Sequence, residues 1–104
     1  MARFDVYAHP DAEIRKKTPF LLDVQNSFID GLETRVVVPL RATSFHRLTL
    51  QDLNPQFEVN GRDVIMDTAA LAAMPMRELG RHVASLGHHR SDIVSALDSL
   101  FGAY

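Results

Sequence analysis

The chain of 104 residues contains no cysteine. This absence excludes disulfide bonds, cysteine-ligated zinc sites and thiol nucleophiles together, and it fits a reducing cytosol. The five glycines are scattered along the sequence, so no glycine-rich loop is available to cradle a phosphate group. No apolar run reaches the length of a membrane span or of a signal peptide. We therefore expect a cytoplasmic protein that makes no membrane contact.

The charge is nearly balanced, with 11 basic and 13 acidic residues and a formal net charge of −2. A balance of this kind disfavours direct binding of nucleic acid, which depends on an excess of basic side chains. The hydrophobic content of 46% and the charged content of 23% are those of an ordinary globular protein. At this length we expect a single domain that spans residues 1–104.

Residue patterns of known catalytic sites are also missing. His88 and His89 are adjacent, so on a helix their side chains would point about 100° apart and would not chelate one ion. No Gly-x-Ser-x-Gly elbow occurs. Asp23 stands in an apolar strand, either as an active-site acid or, more commonly, as a carboxylate bonded to a neighbouring turn. We therefore expect that the protein is not an enzyme and binds neither a cofactor nor a metal ion. If it were a small nuclease or hydrolase, His82, His88 and His89 would be the candidate catalytic or metal-binding residues.

Several segments have the patterns of β-strands. Apolar and polar residues alternate over residues 4–8, and residues 20–25 form a continuous apolar run typical of a central strand. Residues 34–40 are rich in valine, although Pro39 predicts that this end lies at a sheet edge or a bulge. The pair Asn60-Gly61 predicts a type I′ hairpin between residues 56–59 and 62–66.

Three of the remaining segments are compatible with more than one secondary structure. Residues 41–53 fit two short strands or an irregular excursion, and residues 68–74 could form a helix by alanine propensity, limited by Pro75. Residues 77–80 fit a final short strand or a turn. A helix is predicted from about residue 88 to residue 101, with Gly87 as its N-cap. The sum is a mainly β fold of six or seven short strands with one C-terminal helix.

The apolar residues of this last helix fall into two groups, one predicted to pack in the core and one predicted to contact another chain. Ile93, Leu97 and Leu100 recur at helical spacing and should pack on the sheet as core. Phe101 and Tyr104 come later, where a helix end protrudes past the sheet that it covers. We expect them to contact another chain, so the end of the chain is a candidate binding surface.

Three motifs in this order resemble the CcdB family of plasmid and chromosomal toxins. They are Phe-Leu-Leu-Asp-Val-Gln at 20–25, Ile-Asp at 29–30 and Arg-Val-Val-Val-Pro-Leu at 35–40. Later residues continue the same order, so the resemblance covers nearly the whole chain. It implies an SH3-like antiparallel barrel with a C-terminal helix.

The resemblance also implies a function. CcdB toxins are homodimers that poison DNA gyrase by wedging between its A subunits while DNA is cleaved. A cognate antitoxin neutralises them and, together with the toxin, represses the operon. The alternative is a chromosomal homologue that keeps the fold and the antitoxin but does not poison gyrase, or acts on another target.

Carried over by position, the resemblance implies a set of site residues. The aliphatic pair that faces gyrase falls on Phe28 and Ile29, and Leu100 takes the position at the dimer twofold axis. The best-known toxin of the family ends in Trp-Gly-Ile, and homologues without the tryptophan can keep Gly-Ile, whereas this chain has Gly-Ala-Tyr. The other implied gyrase contacts are Asp98, Phe101, Gly102, Ala103 and Tyr104.

Overall fold

A computed structural model of the chain describes residues 2–29, 31–44, 50 and 52–102. Within these residues, seven strands form one antiparallel sheet that is followed by a single α-helix. The predicted mainly β fold with a C-terminal helix is thereby confirmed. The elements are β1 (Asp5–Ala8), β2 (Phe20–Asp23), β3 (Thr34–Ala42), β4 (Gln56–Val59), β5 (Arg62–Met66), β6 (Ala72–Pro75), β7 (His82–Ser85) and α1 (Arg90–Phe101).

The sheet curls into a half-barrel. Its strands lie in the order β4-β5-β3-β2-β1-β7, and β6 pairs with the first half of β3. The two ends of this order approach each other, because the Asn60 side chain in the β4–β5 turn donates a hydrogen bond to the Val83 carbonyl of β7 over 3.3 Å. In the described ranges, no helix is both long and apolar enough to cross a membrane.

The β4–β5 hairpin has the turn that its sequence predicts. Asn60 has φ 51° and Gly61 has φ 82°, so both central residues occupy the left-handed region that a type I′ turn requires. The turn sets the register, in which Val59 pairs with Arg62 and Gln56 with Ile65. Both predicted strands are confirmed.

The prediction that Pro39 lies at an edge or a bulge is wrong. β3 runs through the middle of the sheet, and Pro39 pairs with Leu21 of β2. On its other side β3 changes neighbours at this point, since β6 pairs as far as Val37 and β5 pairs from Leu40 onward. The Pro39 carbonyl faces that side, where it accepts the N–H of Asp67 over 3.0 Å. The missing proline N–H therefore falls in the gap between two partner strands and leaves no ladder bond unmade.

The alanine-rich segment is not a helix. It forms a single 3-10 turn, Thr68–Ala70, and then strand β6, in which Ala72 and Ala73 pair with Val37 and Val36. A ladder to the central strand outweighs the modest helix propensity of alanine. Residues 77–80 are a turn, and the last strand, β7, was not predicted. Residues 41 and 42 end β3, whereas residues 45–49 and 51 of the ambiguous segment lie outside the described residues.

The core lies on the concave side of the sheet, and α1 closes it. Ile93 and Ala96 are fully buried there, and Leu97 packs against the same cluster, as predicted. Leu100 is only half-buried and does not join the cluster. The helix begins at Arg90, after a 3-10 turn at Gly87–His89, so Gly87 is not its N-cap. The sheet side of the core is formed by Val6, Phe20, Leu22, Val38, Leu40, Phe57, Val59, Val64 and Met66.

Gly80 is required by a close approach between β1 and the start of β7. A Cβ atom at this position would fall on the carbonyl oxygen of Ala8. Ala8 is held in place because its N–H donates to the Arg81 carbonyl over 2.8 Å. Backbone must therefore shift to admit any side chain at residue 80.

We expect Gly80→Ala to lower the free energy of unfolding by about 1–3 kcal/mol, because it forces this backbone shift. Gly87→Ala is the matched control, since its Cβ would meet only an ordinary contact with Ser85. Urea unfolding followed by circular dichroism measures both variants. Equal stability of the two would contradict the packing described for Gly80.

Candidate functional site

A buried ion pair fastens the start of the loop between β2 and β3 (residues 24–33). Asp23 is fully buried at the end of β2, and Arg35 of β3 is 5% exposed. The Arg35 Nε and Nη2 groups donate to the two carboxylate oxygens of Asp23 over 2.7 and 2.9 Å. Asp23 Oδ1 also accepts the N–H of Gln25 over 2.9 Å. The carboxylate therefore supports the neighbouring turn, which is the commoner of the two explanations considered for it.

Gln25 continues the ladder after β2 has ended. Its side-chain Oε1 accepts the N–H of Val36 over 3.0 Å, in the place of a strand carbonyl. Its own carbonyl accepts from Arg35 Nη2 over 3.4 Å. Its Nε2 is buried and has no hydrogen-bond partner among the described residues. The loop thus leaves the sheet from a tightly bonded base.

The tip of this loop holds apolar side chains in solvent. Phe28 is 96% exposed, the largest exposure among the described large hydrophobic residues, and Ile29 and Leu32 are about half exposed. The Asn26 side chain accepts the N–H of Phe28 over 2.9 Å, and the Asn26 carbonyl accepts the N–H of Ile29 over 3.1 Å. These bonds form an Asx turn that holds Phe28 outward. We call Phe28, Ile29 and Leu32 the loop patch.

The loop patch lies beside the start of α1. Phe28 lines a shallow pocket of about 360 Å³ together with Arg3, Phe4, Asn26, Ser27 and Arg90. The guanidinium carbons of Arg3 and Arg90 lie 4.9 and 5.7 Å from the ring centre of Phe4. The two guanidinium groups thus lie over the ring of Phe4, and they line the same pocket as Phe28.

A second apolar surface forms at the end of α1. The helix stops because Gly102 adopts a left-handed conformation, φ 72°, and donates its N–H to the Asp98 carbonyl over 2.9 Å. Phe101 is 68% exposed, and Leu50, 64% exposed, lines a pocket of about 440 Å³ with Asp52, Leu53 and Ser99. We call Leu100 and Phe101 the helix-end patch.

Asp98 lies within one turn of this patch. Its carboxylate is close to the helix C-terminus, where the helix dipole disfavours negative charge. Sequence reasoning did not select Leu50, an exposed apolar side chain whose pocket borders Ser99 of the same helix. Ala103 and Tyr104 lie outside the described residues, so their contacts with a partner stay predictions.

Those predicted site residues that the structure describes do not form one cluster within the chain. Phe28 lies near Arg90, the first residue of α1, whereas Phe101 is the last residue of the helix. A helix rises about 1.5 Å per residue, so the helix axis separates these ends by about 16 Å. The structure brings Asp98, Leu100 and Phe101 together, and it places the Phe28 pair at the opposite end.

The histidines make contacts with neighbouring side chains. His82 Nε2 lies 3.3 Å from Asp5 Oδ1, and the ring of His89 lies 4.9 Å from that of Phe57. The rings of His88 and His89 are 4.2 Å apart, and both residues lie in the 3-10 turn Gly87–His89 rather than in α1. The described residues contain no group of three acidic or histidine side chains that could hold a metal ion.

We expect Asp23→Ala to destabilise the protein by about 3–5 kcal/mol, because it leaves the buried Arg35 charge without a counterion. Asp63→Ala, which removes an exposed acid from β5, is the control and should change stability by less than about 0.5 kcal/mol. Urea unfolding measures both. A loss below about 1 kcal/mol for Asp23→Ala would show that the pair does not hold the two strands.

A family comparison agrees with this arrangement of sheet, loop and helix. The family model described as "CcdB protein" matches residues 3–102, nearly the whole chain. CcdB is a family of toxins rather than of classical enzymes, and membership suggests a toxin of a toxin–antitoxin system. The resemblance seen in the sequence motifs is thereby confirmed: the chain belongs to the CcdB family.

Proposed function

We propose that this chain is the toxin of a toxin–antitoxin module and that it traps the cleavage complex of DNA gyrase by binding the A subunit. The observation that carries this proposal is the exposure of Phe28, 96%, on a loop of a CcdB-family chain. The protein makes and breaks no bond in this mechanism. It inserts between the gyrase subunits and blocks resealing of the cleaved strands, and a cognate antitoxin neutralises it.

The loop patch has the properties of a binding anchor. Burial of an exposed phenylalanine side chain at an interface contributes about 1.5–3 kcal/mol, and aromatic side chains supply many of the strongest contacts in protein interfaces. The Asx turn at Asn26 holds the Phe28 backbone before any partner arrives. A preformed loop loses little conformational entropy on binding, which favours affinity.

The helix-end patch supports a symmetric assembly. In the proposed homodimer Leu100 lies at the twofold axis, and two copies present their Phe101 side chains and chain ends to the target. Leu100 is half-buried within one protomer, which leaves apolar surface for a second copy. A monomeric mass by analytical ultracentrifugation at the assay concentration would contradict this wedge.

One observation favours a second candidate function. Gly102 occupies the position that a tryptophan holds in the best-known CcdB toxin, and its left-handed conformation ends the helix. Loss of an aromatic anchor costs about 2 kcal/mol, or more than tenfold in affinity. In this candidate the chain is a chromosomal homologue that keeps the fold and binds an antitoxin but does not poison gyrase.

The first test uses gyrase from the source organism and measures linear DNA released from trapped cleavage complexes. We expect the parent chain to trap complexes and Phe28→Ser to need about 30-fold more protein, the equivalent of about 2 kcal/mol. Ile14→Ser is the matched control, since Ile14 is also an exposed apolar residue, on the 3-10 turn Ile14–Lys16.

Equal loss in both variants would show a general effect of lost apolar surface and would contradict a role for the loop patch. Absence of trapped DNA with the parent chain, together with normal growth on its expression, would reject gyrase poisoning. Co-purification with a small antitoxin in that case would favour the second candidate.

The terminal triplet can be tested separately. We expect the triple variant Gly102→Trp, Ala103→Gly, Tyr104→Ile to lengthen α1 by one residue, because tryptophan disfavours the left-handed conformation and the capping glycine moves to position 103. Cα chemical shifts at residue 102 measure the change in conformation. The same variant should trap gyrase at least tenfold more strongly than the parent. Unchanged trapping with the longer helix would show that the triplet does not limit activity.

A further inference from the structure

A polar pocket lies where β1 ends and β7 begins, and it shares no residue with either apolar patch. Its volume is about 370 Å³, and it is lined by Ala8, His9, Pro10, Arg15, Gly80 and Arg81. Two of these residues carry guanidinium groups and a third carries an imidazole, whereas none carries a carboxylate. The lining is therefore rich in hydrogen-bond donors.

The backbone around this pocket is fixed by the sheet. Ala8 donates its N–H to the Arg81 carbonyl over 2.8 Å, and His9 donates its N–H to the Pro19 carbonyl over 2.9 Å. Gly80 lies directly against Ala8, where no side chain fits. The donors are consequently carried by a base that does not have to order itself around a ligand.

His9 is a neutral donor at physiological pH. Its Nδ1 accepts the N–H of Asp11 over 3.1 Å, which assigns the proton of the neutral ring to Nε2. Burial is the largest influence and lowers the pKa of His9, which outweighs the opposing effect of the Asp11 carboxylate; the positive charges of Arg15 and Arg41 act with burial. The ring therefore adds a hydrogen-bond donor to the pocket without adding a full charge.

The two arginines retain free donors. Arg15 Nε donates to the His9 carbonyl over 2.9 Å, which orients the guanidinium and leaves its Nη groups available. Among the described residues, no carboxylate forms an ion pair with Arg15 or with Arg81. Asp11, the nearby acid in sequence, directs Oδ1 to the N–H of Glu13 over 2.9 Å.

The lining suits an anionic group. It carries two positive charges, on Arg15 and Arg81, and no carboxylate. The planar geometry of a carboxylate matches a guanidinium fork. We propose that this pocket binds the carboxylate of an acidic side chain presented by a partner protein.

The experiment uses the full chain, labelled with ¹⁵N, and follows amide chemical shifts at constant ionic strength. The probes are a capped tetraglutamate peptide, a capped tetraglutamine peptide and inorganic phosphate. We expect saturable shifts at His9, Gly80 and Arg81 with tetraglutamate, none with tetraglutamine, and weaker binding of phosphate.

Arg81→Gln should weaken tetraglutamate binding about tenfold, because it removes a charge-assisted hydrogen-bond pair. Arg77→Gln, an exposed arginine on the 3-10 turn Met76–Glu78, is the matched control and should bind as the parent does. Arg15→Lys keeps the charge but loses the fork, and it should also weaken binding.

Three results would overturn the proposal: no saturation with tetraglutamate, equal loss in Arg77→Gln and Arg81→Gln, or phosphate binding as tight as that of tetraglutamate. Because neither gyrase nor an antitoxin is present, failure here leaves the proposed toxin function unaffected. Failure of gyrase trapping leaves the pocket unaffected in turn.

Discussion

The ion pair between Asp23 and Arg35 is the interaction on which the loop and its exposed tip depend. Both charges are removed from water, and a buried charge without a partner costs several kcal/mol. β2 and β3 must therefore keep the register that places the carboxylate against the guanidinium. The same carboxylate accepts the N–H of Gln25, so the direction in which the loop leaves the sheet follows from the pair. Phe28 reaches solvent because these bonds fix the start of the loop.

Backbone N–H and C=O groups must also find hydrogen-bond partners, and this requirement decides where other elements end. Pro39 lies where β3 changes partners, and Gly102 ends α1 by turning into the left-handed region. The second stop positions a surface, because the helix ends at Phe101 and leaves that side chain in solvent. The molecule thus carries one apolar patch on a loop with a firmly bonded base and another at the end of its helix, an arrangement suited to binding another protein.

Local patterns were sufficient for much of the fold. Asn60-Gly61 predicts its hairpin because only a primed turn places two residues at positive φ between paired strands. The alternation in β1, the apolar run of β2 and the helical spacing that ends at Phe101 are equally local. The exposure of Phe101 followed from its place at a helix end. Such features depend on residues a few positions apart, which any window of sequence contains.

Local sequence patterns could not identify which distant segments contact each other. The sequence by itself determined the hairpin, the helix, the main strands and the motifs of the CcdB family. Only the tertiary structure decided that Arg35 neutralises Asp23, and that Phe28 and Phe101 lie at opposite ends of α1. Tertiary contacts also place residues 72–75 and 82–85 in strands β6 and β7, although the local sequence signals for these strands are weak. The physical reason is that register and sheet curvature arise from contacts between distant segments, and a period of two or 3.6 residues does not identify the partner.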